Sequence, residues 1–269
     1  MSHGKAVRVR GLRKSYGGKV AVAGVDLDID YGECFALLGP NGAGKTTTVE
    51  ILEGHRVKDA GEVHIGASKA EIGIVLQEAN DAGDLTVYEM VSHFAGYYPH
   101  PREPMELIEF VGLPARHRIR TLSGGQRRRL DVALGLVGRP RLLFLDEPTT
   151  GFDPEARRQF WGLIKALEGT TILLTTHYLE EAEALADRVA VIAAGLIVAE
   201  GEPATLGGRA TAKATVRWQE HGTTMEALTD DPVRYVREHR GDMPGLTVTR
   251  PSLEDIYLEL IGEHNDSRL

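Results

Sequence analysis

Cys34-Phe-Ala-Leu-Leu-Gly-Pro-Asn-Gly-Ala-Gly-Lys-Thr46 joins an unbroken apolar run to a glycine-rich loop that closes on a lysine and a hydroxyl. The run from Cys34 to Leu38, ended by Gly39, predicts a strand buried on both faces. Lys45–Leu52 reads as the helix that follows. Gly39 to Thr46 fits G-x-x-x-x-G-K-[ST] in full, in the strand–loop–helix setting that gives the pattern its meaning. Its glycines let backbone N–H groups turn inward around phosphate oxygens, and the helix N-terminus adds a favourable dipole. Gly39, Asn41, Gly42, Ala43, Gly44, Lys45, Thr46 and Thr47 are therefore the candidate phosphate-binding residues. Lys45 would place a point charge at the β- and γ-phosphates, and the Thr46 hydroxyl would ligate Mg²⁺.

Upstream, Val7, Val9 and Gly11 alternate with Arg8 and Arg10, and Val25, Leu27 and Ile29 alternate with Asp26, Asp28 and Asp30. This pattern predicts half-buried, antiparallel strands. Downstream, short apolar runs at Ile72–Leu76, Leu142–Leu145, Thr171–Thr175 and Arg188–Ile192 are mostly separated by helical stretches, the pattern of a largely parallel sheet flanked by helices. Strand signals vanish after Glu78. Val87–Tyr98 and Pro104–Val111 read as helices within an insertion, punctuated by Pro99, Pro101 and Pro104. Beyond Gly208 the signals weaken: a strand is expected at Ala214–Trp218, a helix at Pro232–His239 and a strand at Leu246–Thr249. Leu253, Ile256, Tyr257, Leu260 and Ile261 then form one helical apolar face, with Ser252 as N-cap and Asp255 three residues on.

Composition narrows the possibilities. The chain has 269 residues, 42% of them hydrophobic and 26% charged, enough to bury a core. Lys and Arg total 31 against 39 Asp and Glu, a net charge of -8, which argues against general nucleic-acid binding. The single cysteine, Cys34, can form neither an internal disulfide nor a zinc cluster. No stretch approaches the roughly 18 apolar residues that span a bilayer, and the opening MSHGKAVRVR lacks the apolar run of a signal peptide. A cytoplasmic location is expected, with any membrane role exerted through a partner.

Arg141-Leu-Leu-Phe-Leu-Asp146-Glu147-Pro148 is an apolar strand closed by two acids. In a parallel sheet, strand C-termini line the ligand crevice. Asp146 would hold Mg²⁺ through water, and Glu147 would accept a proton from, or polarise, the attacking water.

Leu122-Ser123-Gly124-Gly125-Gln126 lies just before a helical run from Arg127 to Val137. With this motif between the phosphate loop and Asp146, the sequence resembles the ATP-binding cassette (ABC) ATPase family. The resemblance implies a P-loop NTPase core of mostly parallel α/β sheet, with an N-terminal antiparallel β subdomain and a helical insertion at about 78–140. Residues 1–208 would form the nucleotide-binding domain, and 209–269 a small C-terminal extension ending in the amphipathic helix. Ser123, Gly124, Gly125 and Gln126 would bind the γ-phosphate of ATP held by a second subunit, so that two cassettes sandwich two ATP molecules head to tail. Tyr16 matches the aromatic that stacks on adenine. Gln77 matches the glutamine that contacts Mg²⁺ and the attacking water, Asp153 the loop that crosses the dimer interface, and His177 the histidine that contacts the γ-phosphate and the catalytic glutamate. On this reading Glu147, His177, Lys45 and Gln77 are catalytic, and Thr46, Gln77 and Asp146 hold the metal.

Two departures stand out. Gly151-Phe152 replaces the Gly-Leu of many members. Arg116, Arg118 and Arg120 occupy the place where one large exporter class carries an acidic, glycine-containing segment. Arg127-Arg128-Arg129 reads as a solvated face of the signature helix, with Leu130, Ala133, Leu134 and Val137 as its buried stripe. Tyr178–Val189 and the ending Ser252-Leu-Glu-Asp-Ile-Tyr-Leu are similar to the single-cassette ATPases of bacterial drug, antibiotic or polysaccharide exporters. That similarity implies a Mg²⁺-dependent ATPase, peripheral at the cytoplasmic face of the membrane. It would work as a homodimer with a separate integral-membrane permease and without nucleic acid. The alternatives are the ATPase of an uptake system and a cytosolic non-transport ABC ATPase.

Overall fold

The computed structural model describes residues 4–75, 83–239 and 241–266. The chain opens with β1 (Lys5–Tyr16) and β2 (Lys19–Asp30), an antiparallel pair closed by a two-residue turn. β3 (Cys34–Leu38) follows, then α1 (Lys45–Leu52) and β4 (Ala60–Ile65), which pairs antiparallel with the other edge of β1. β4 is a strand the apolar pattern did not predict. Its Val63 and Ile65 pack against the core, while Ala60, Glu62 and His64 face solvent.

β5 (Ile72–Val75) leads to α2 (Val87–Ala95), α3 (Pro104–Phe110) and α4 (Gly124–Leu136). α2 was expected to reach Tyr98 but ends at its C-cap, Gly96. The core resumes with β6 (Leu142–Asp146), α5 (Pro154–Lys165), β7 (Thr171–Thr176), α6 (Leu179–Leu185), β8 (Arg188–Ala193) and β9 (Leu196–Gly201). β9 is a second unpredicted strand. It follows β8 through Ala194 and Gly195, both at positive φ. The central sheet runs β5-β6-β7-β3-β8-β9, with β5, β6, β7, β3 and β8 parallel in register. Its core is shared with the β2-β1-β4 sheet: Val9, Leu27 and Ile29 pack with Phe35, Phe144 and Leu173, and Val49 of α1 joins them. Burial pushes the Cys34 thiol up to about 12, so it is no nucleophile at neutral pH.

By compactness the chain divides into Met1–Val198 and Ala199–Leu269. Within the second unit, β10 (Ala214–Glu220) pairs antiparallel with β11 (Thr223–Thr229), a strand missed in the sequence, and with β12 (Thr247–Thr249). α7 (Pro232–Glu238) lies between β11 and β12 in sequence, and α8 (Leu253–Asp266) closes the unit. The Ser252 hydroxyl caps α8 by accepting from the Asp255 N–H at 3.1 Å, and the Asp255 carboxylate accepts from the Ser252 N–H at 2.7 Å. Part of the predicted apolar face of α8 is covered inside this unit, while Tyr257, Leu260 and Ile261 are half-buried. Leu253 and Ile256 are buried, and Ile256 packs on Gly207, where a Cβ would lie 2.5 Å from its methyl group.

α4 buries most of the stripe expected for it, together with Val132 and Leu136, which the pattern did not include. Leu130, Val132, Ala133, Leu136 and Val137 are buried, while Leu134 is only half-buried. The helix is turned so that Gly135 faces β5. A Cβ built on Gly73 would stand 2.2 Å from the Gly135 carbonyl oxygen, closer than any real contact. Helix and strand therefore touch backbone to backbone. Gly73→Ala is expected to destabilise the protein by about 2 kcal/mol or more, because the neighbour that must yield is main chain. Chemical denaturation would measure it, and an unchanged midpoint would show that α4 can shift from β5 at no cost.

Candidate functional site

The loop after β3 owes its shape to Gly44. Its φ of +106° is open to few side-chain-bearing residues, and a Cβ there would lie 2.4 Å from the Ala21 carbonyl oxygen. This close seat on β2 starts α1 directly beneath the loop. Lys45, only 4% exposed, folds back into the loop it follows. Its ammonium donates to the Gly39 carbonyl at 2.7 Å and the Pro40 carbonyl at 3.3 Å, and stands 3.5 Å from Glu147 Oε1. Asn41, Gly42, Thr46 and Thr47 line one groove with Lys45. Tyr16, 41% exposed at the end of β1, lines its outer part. The Lys14 ammonium and Arg56 guanidinium approach the Tyr16 ring centroid at 5.4 and 5.5 Å. Lys19 and Val20, which the sequence did not single out, also line this groove. Gly39 and Ala43 contribute backbone instead: Ala43 accepts from the Gly195 N–H at 2.9 Å.

Glu147, just past the end of β6, lines the same groove. Glu147 directs Oε1 to Lys45 and Oε2 to His177, whose Nδ1 is 3.2 Å away. Thr150 donates to Glu147 Oε2 at 3.4 Å. His177 follows β7 and packs on the Tyr178 ring at 4.1 Å between centroids. The Asp146 carboxylate accepts from the Thr175 hydroxyl. Burial pushes the Asp146 carboxyl above its usual range, and the neighbouring Glu147 adds to this against the Thr175 hydrogen bond. Two partly buried carboxylates side by side favour a cation between them and the phosphates. With the hydroxyl of Thr46 at the exposed start of α1, this is oxygen-only chemistry that suits Mg²⁺. Gln77 lies outside the described residues.

The Leu122–Gln126 motif stands elsewhere. Ser123 caps α4: its Oγ accepts from the Gln126 N–H at 3.2 Å, and Gln126 Oε1 accepts from the Ser123 N–H at 3.0 Å. The hydroxyl proton of Ser123 is still available to an acceptor outside the helix. Ser123, Gly124, Gly125 and Gln126 line a second groove with Asp153. The Asp153 carboxylate caps α5, accepting from the N–H groups of Glu155 and Ala156 at 2.9 and 2.8 Å. Tyr16, Lys45 and its loop thus line one groove, the Ser123 motif and Asp153 the other, and Glu147 lines both, while Asp146 and His177 are not among the lining residues of either.

The arginine triplet is not a solvated face. Arg128 is 6% exposed, Arg127 donates to the Ile119 carbonyl at 3.1 Å, and Arg129 reaches the carbonyls of Val111 and Gly112 at 3.4 Å. All three bond main-chain oxygens of neighbouring segments, partners with no sequence pattern of their own.

Residues 22–150 match the ABC transporter family model. The Nod factor export ATP-binding protein I of Ralstonia nicotianae is 39% identical over 94% of this chain and 93% of its own length. The chain belongs to the ABC transporter family. This ABC cassette is also 36% identical to the daunorubicin/doxorubicin resistance ATP-binding protein DrrA of Streptomyces peucetius, over 98% of this chain and 94% of that one. Among solved structures, a dimeric ATP-binding cassette in a post-hydrolysis state, bound to ADP and Pi, is similar with a TM-score of 0.65 and 26% identity, covering 73% of this chain and 98% of that one. The family comprises ATP-hydrolysing enzymes coupled to transport, and the cassette is one of them. Among the described residues no helix is long and apolar enough to cross a membrane.

Proposed function

We propose that this ABC cassette hydrolyses ATP as a head-to-tail homodimer and drives a separate integral-membrane permease that exports a drug, an antibiotic or another small molecule. The observation that carries the reading is the separation of its two grooves. Lys45 and its loop line one and the Ser123 motif lines the other, with Glu147 the residue they share. A second copy, turned to face the first, would set its Ser123 groove against the nucleotide held by Lys45. The relatives named for Nod factor export and for daunorubicin/doxorubicin resistance support the export direction.

In the proposed site, ATP lies along Tyr16 and the loop, with Lys45 and the backbone N–H groups of residues 42–47 on its phosphates. Thr46 and Asp146 would hold Mg²⁺, which neutralises charge on the β- and γ-phosphates when bound. Glu147 takes the proton of the attacking water, so that ATP and water yield ADP and phosphate. His177, already within hydrogen-bonding distance of Glu147 Oε2, holds that carboxylate and reaches the γ-phosphate. Catalysis on this account is positioning and charge neutralisation. Residues 1–208 act as the nucleotide-binding domain and 209–269 as the extension, at the cytoplasmic face of the membrane. Gln77 links nucleotide state to the insertion that meets the permease.

The test uses the full chain carrying Glu147→Gln, purified with Mg²⁺-ATP from membranes of its own cells. Two copies per complex and one multi-spanning membrane protein are expected, with dimer mass lost when ATP is withheld. Recovery with ribosomes, DNA or a soluble scaffold, and no membrane protein, would overturn the transport reading.

A further inference from the structure

Arg128 grips the main chain on both sides of Glu147. It stands in the second turn of α4, and its Nε donates to the Pro148 carbonyl at 3.0 Å while its Nη2 donates to the Asp146 carbonyl at 2.9 Å. Asp131, three residues along the same helix, sets a carboxylate 3.8 Å from Nη1. The residue between those two carbonyls has an unusual backbone. Glu147 has a φ of 42°, one of four positive values at non-glycine positions among the described residues. A side chain held in that region persists only where its surroundings over-determine it. Here the surroundings are identifiable. The Glu147 N–H donates to the Thr175 carbonyl at 3.1 Å and to Thr175 Oγ1 at 3.0 Å. Thr175 thus fixes the amide of Glu147 from β7, and Arg128 fixes the carbonyls before and after it from α4.

We propose that Arg128 is a positioning residue for ATP hydrolysis, whose guanidinium fork holds the left-handed turn that aims the Glu147 carboxylate between Lys45 and His177. The inference rests on the role given to Glu147 above. Packing alone does not need this arrangement. Two adjacent donors of a rigid plane meet two carbonyls separated by a single residue, a match that a lysine cannot reproduce. Arg128 lines the Ser123 groove while Lys45 and the loop line the other, and its hydrogen bonds to Asp146 and Pro148 fall on the main chain flanking Glu147. Losing the fork should release the turn, misplace the carboxylate and slow the chemical step, while the loop that binds ATP is unaffected.

The experiment measures steady-state ATP hydrolysis and equilibrium ATP binding with Mg²⁺, on the full chain, for Arg128→Met, Arg128→Lys, Glu147→Gln and the double variant Arg128→Met/Glu147→Gln. Arg128→Met is expected to lower kcat by about 10-fold or more with KM and ATP affinity within about twofold of wild type. Arg128→Lys keeps the buried charge without the fork and should regain only part of the rate. In the Glu147→Gln background, Arg128→Met should add almost nothing, because its effect passes through that carboxylate. Unchanged kcat in Arg128→Met, a parallel loss of ATP affinity and turnover in both Arg128 variants, or a double variant showing the full product of the two effects would each overturn the inference. An inactive Glu147→Gln beside a fully active Arg128→Met removes only this inference. Wild-type turnover in Glu147→Gln removes the base assignment as well.

Discussion

Glu147→Gln is expected to bind ATP as the wild type does and to turn it over about two to four orders of magnitude more slowly, the range that general-base catalysis supplies. The substitution keeps the shape of the side chain and one oxygen, so the contacts with Thr150 and His177 can be retained. It removes the negative charge and with it the capacity to take a proton from water. The 3.5 Å approach to Lys45 becomes a contact with a neutral amide, yet Lys45 still donates to the carbonyls of Gly39 and Pro40. Nucleotide binding should therefore survive. Phosphate release and equilibrium ATP binding, measured on one preparation, separate the two quantities. Turnover within a few-fold of wild type would remove Glu147 from its role.

Lys45→Met is expected to do the reverse. Lys45 is nearly buried, so the methionine can follow the course of the lysine stem without opening a cavity. What disappears is the only ammonium in the loop. Charge-assisted hydrogen bonds are worth about 1.5–3 kcal/mol each, so losing two on the phosphates should weaken ATP binding by about 100-fold or more. The Gly39 carbonyl is buried and loses its donor, while exposed Pro40 can turn to water. Stability without nucleotide should then fall by about 1–3 kcal/mol, the cost of an unmet buried acceptor. Thermal unfolding with and without Mg²⁺-ATP tests this: the wild type gains stability from bound ligand, and the variant should gain little at the same concentration. Wild-type affinity in Lys45→Met would mean that the backbone N–H groups hold the phosphates without it.

The fold was legible where burial is strong and local. β3, β6, β7 and β8 are runs of apolar residues buried on both faces, and each was placed within a residue or so of its observed bounds. β4 and β11 escaped for a physical reason. Both are edge strands, and β11 exposes Leu228 and Met225, so no core-facing alternation marks it. The close seat of α4 on β5 escaped because the residue that makes it, Gly135, has no side chain to enter an apolar pattern. The candidate site divides in the same way. The loop, the acidic strand end and the Ser123 motif carry local patterns. Thr175 and Arg128 act through main-chain oxygens and amides far away in sequence, which leave no mark on it.

The proposed sharing of the site between two copies has a kinetic consequence. In the proposed arrangement a lone cassette can hold ATP but cannot complete the chemistry, so hydrolysis by the free subunit should rise with the square of its concentration at high dilution. A permease with two docking positions would replace that bimolecular encounter by an intramolecular one, governed by effective rather than bulk concentration. Unassembled copies would then be idle, and the rate of ATP consumption in the cell would follow the number of assembled transporters, not the abundance of this chain.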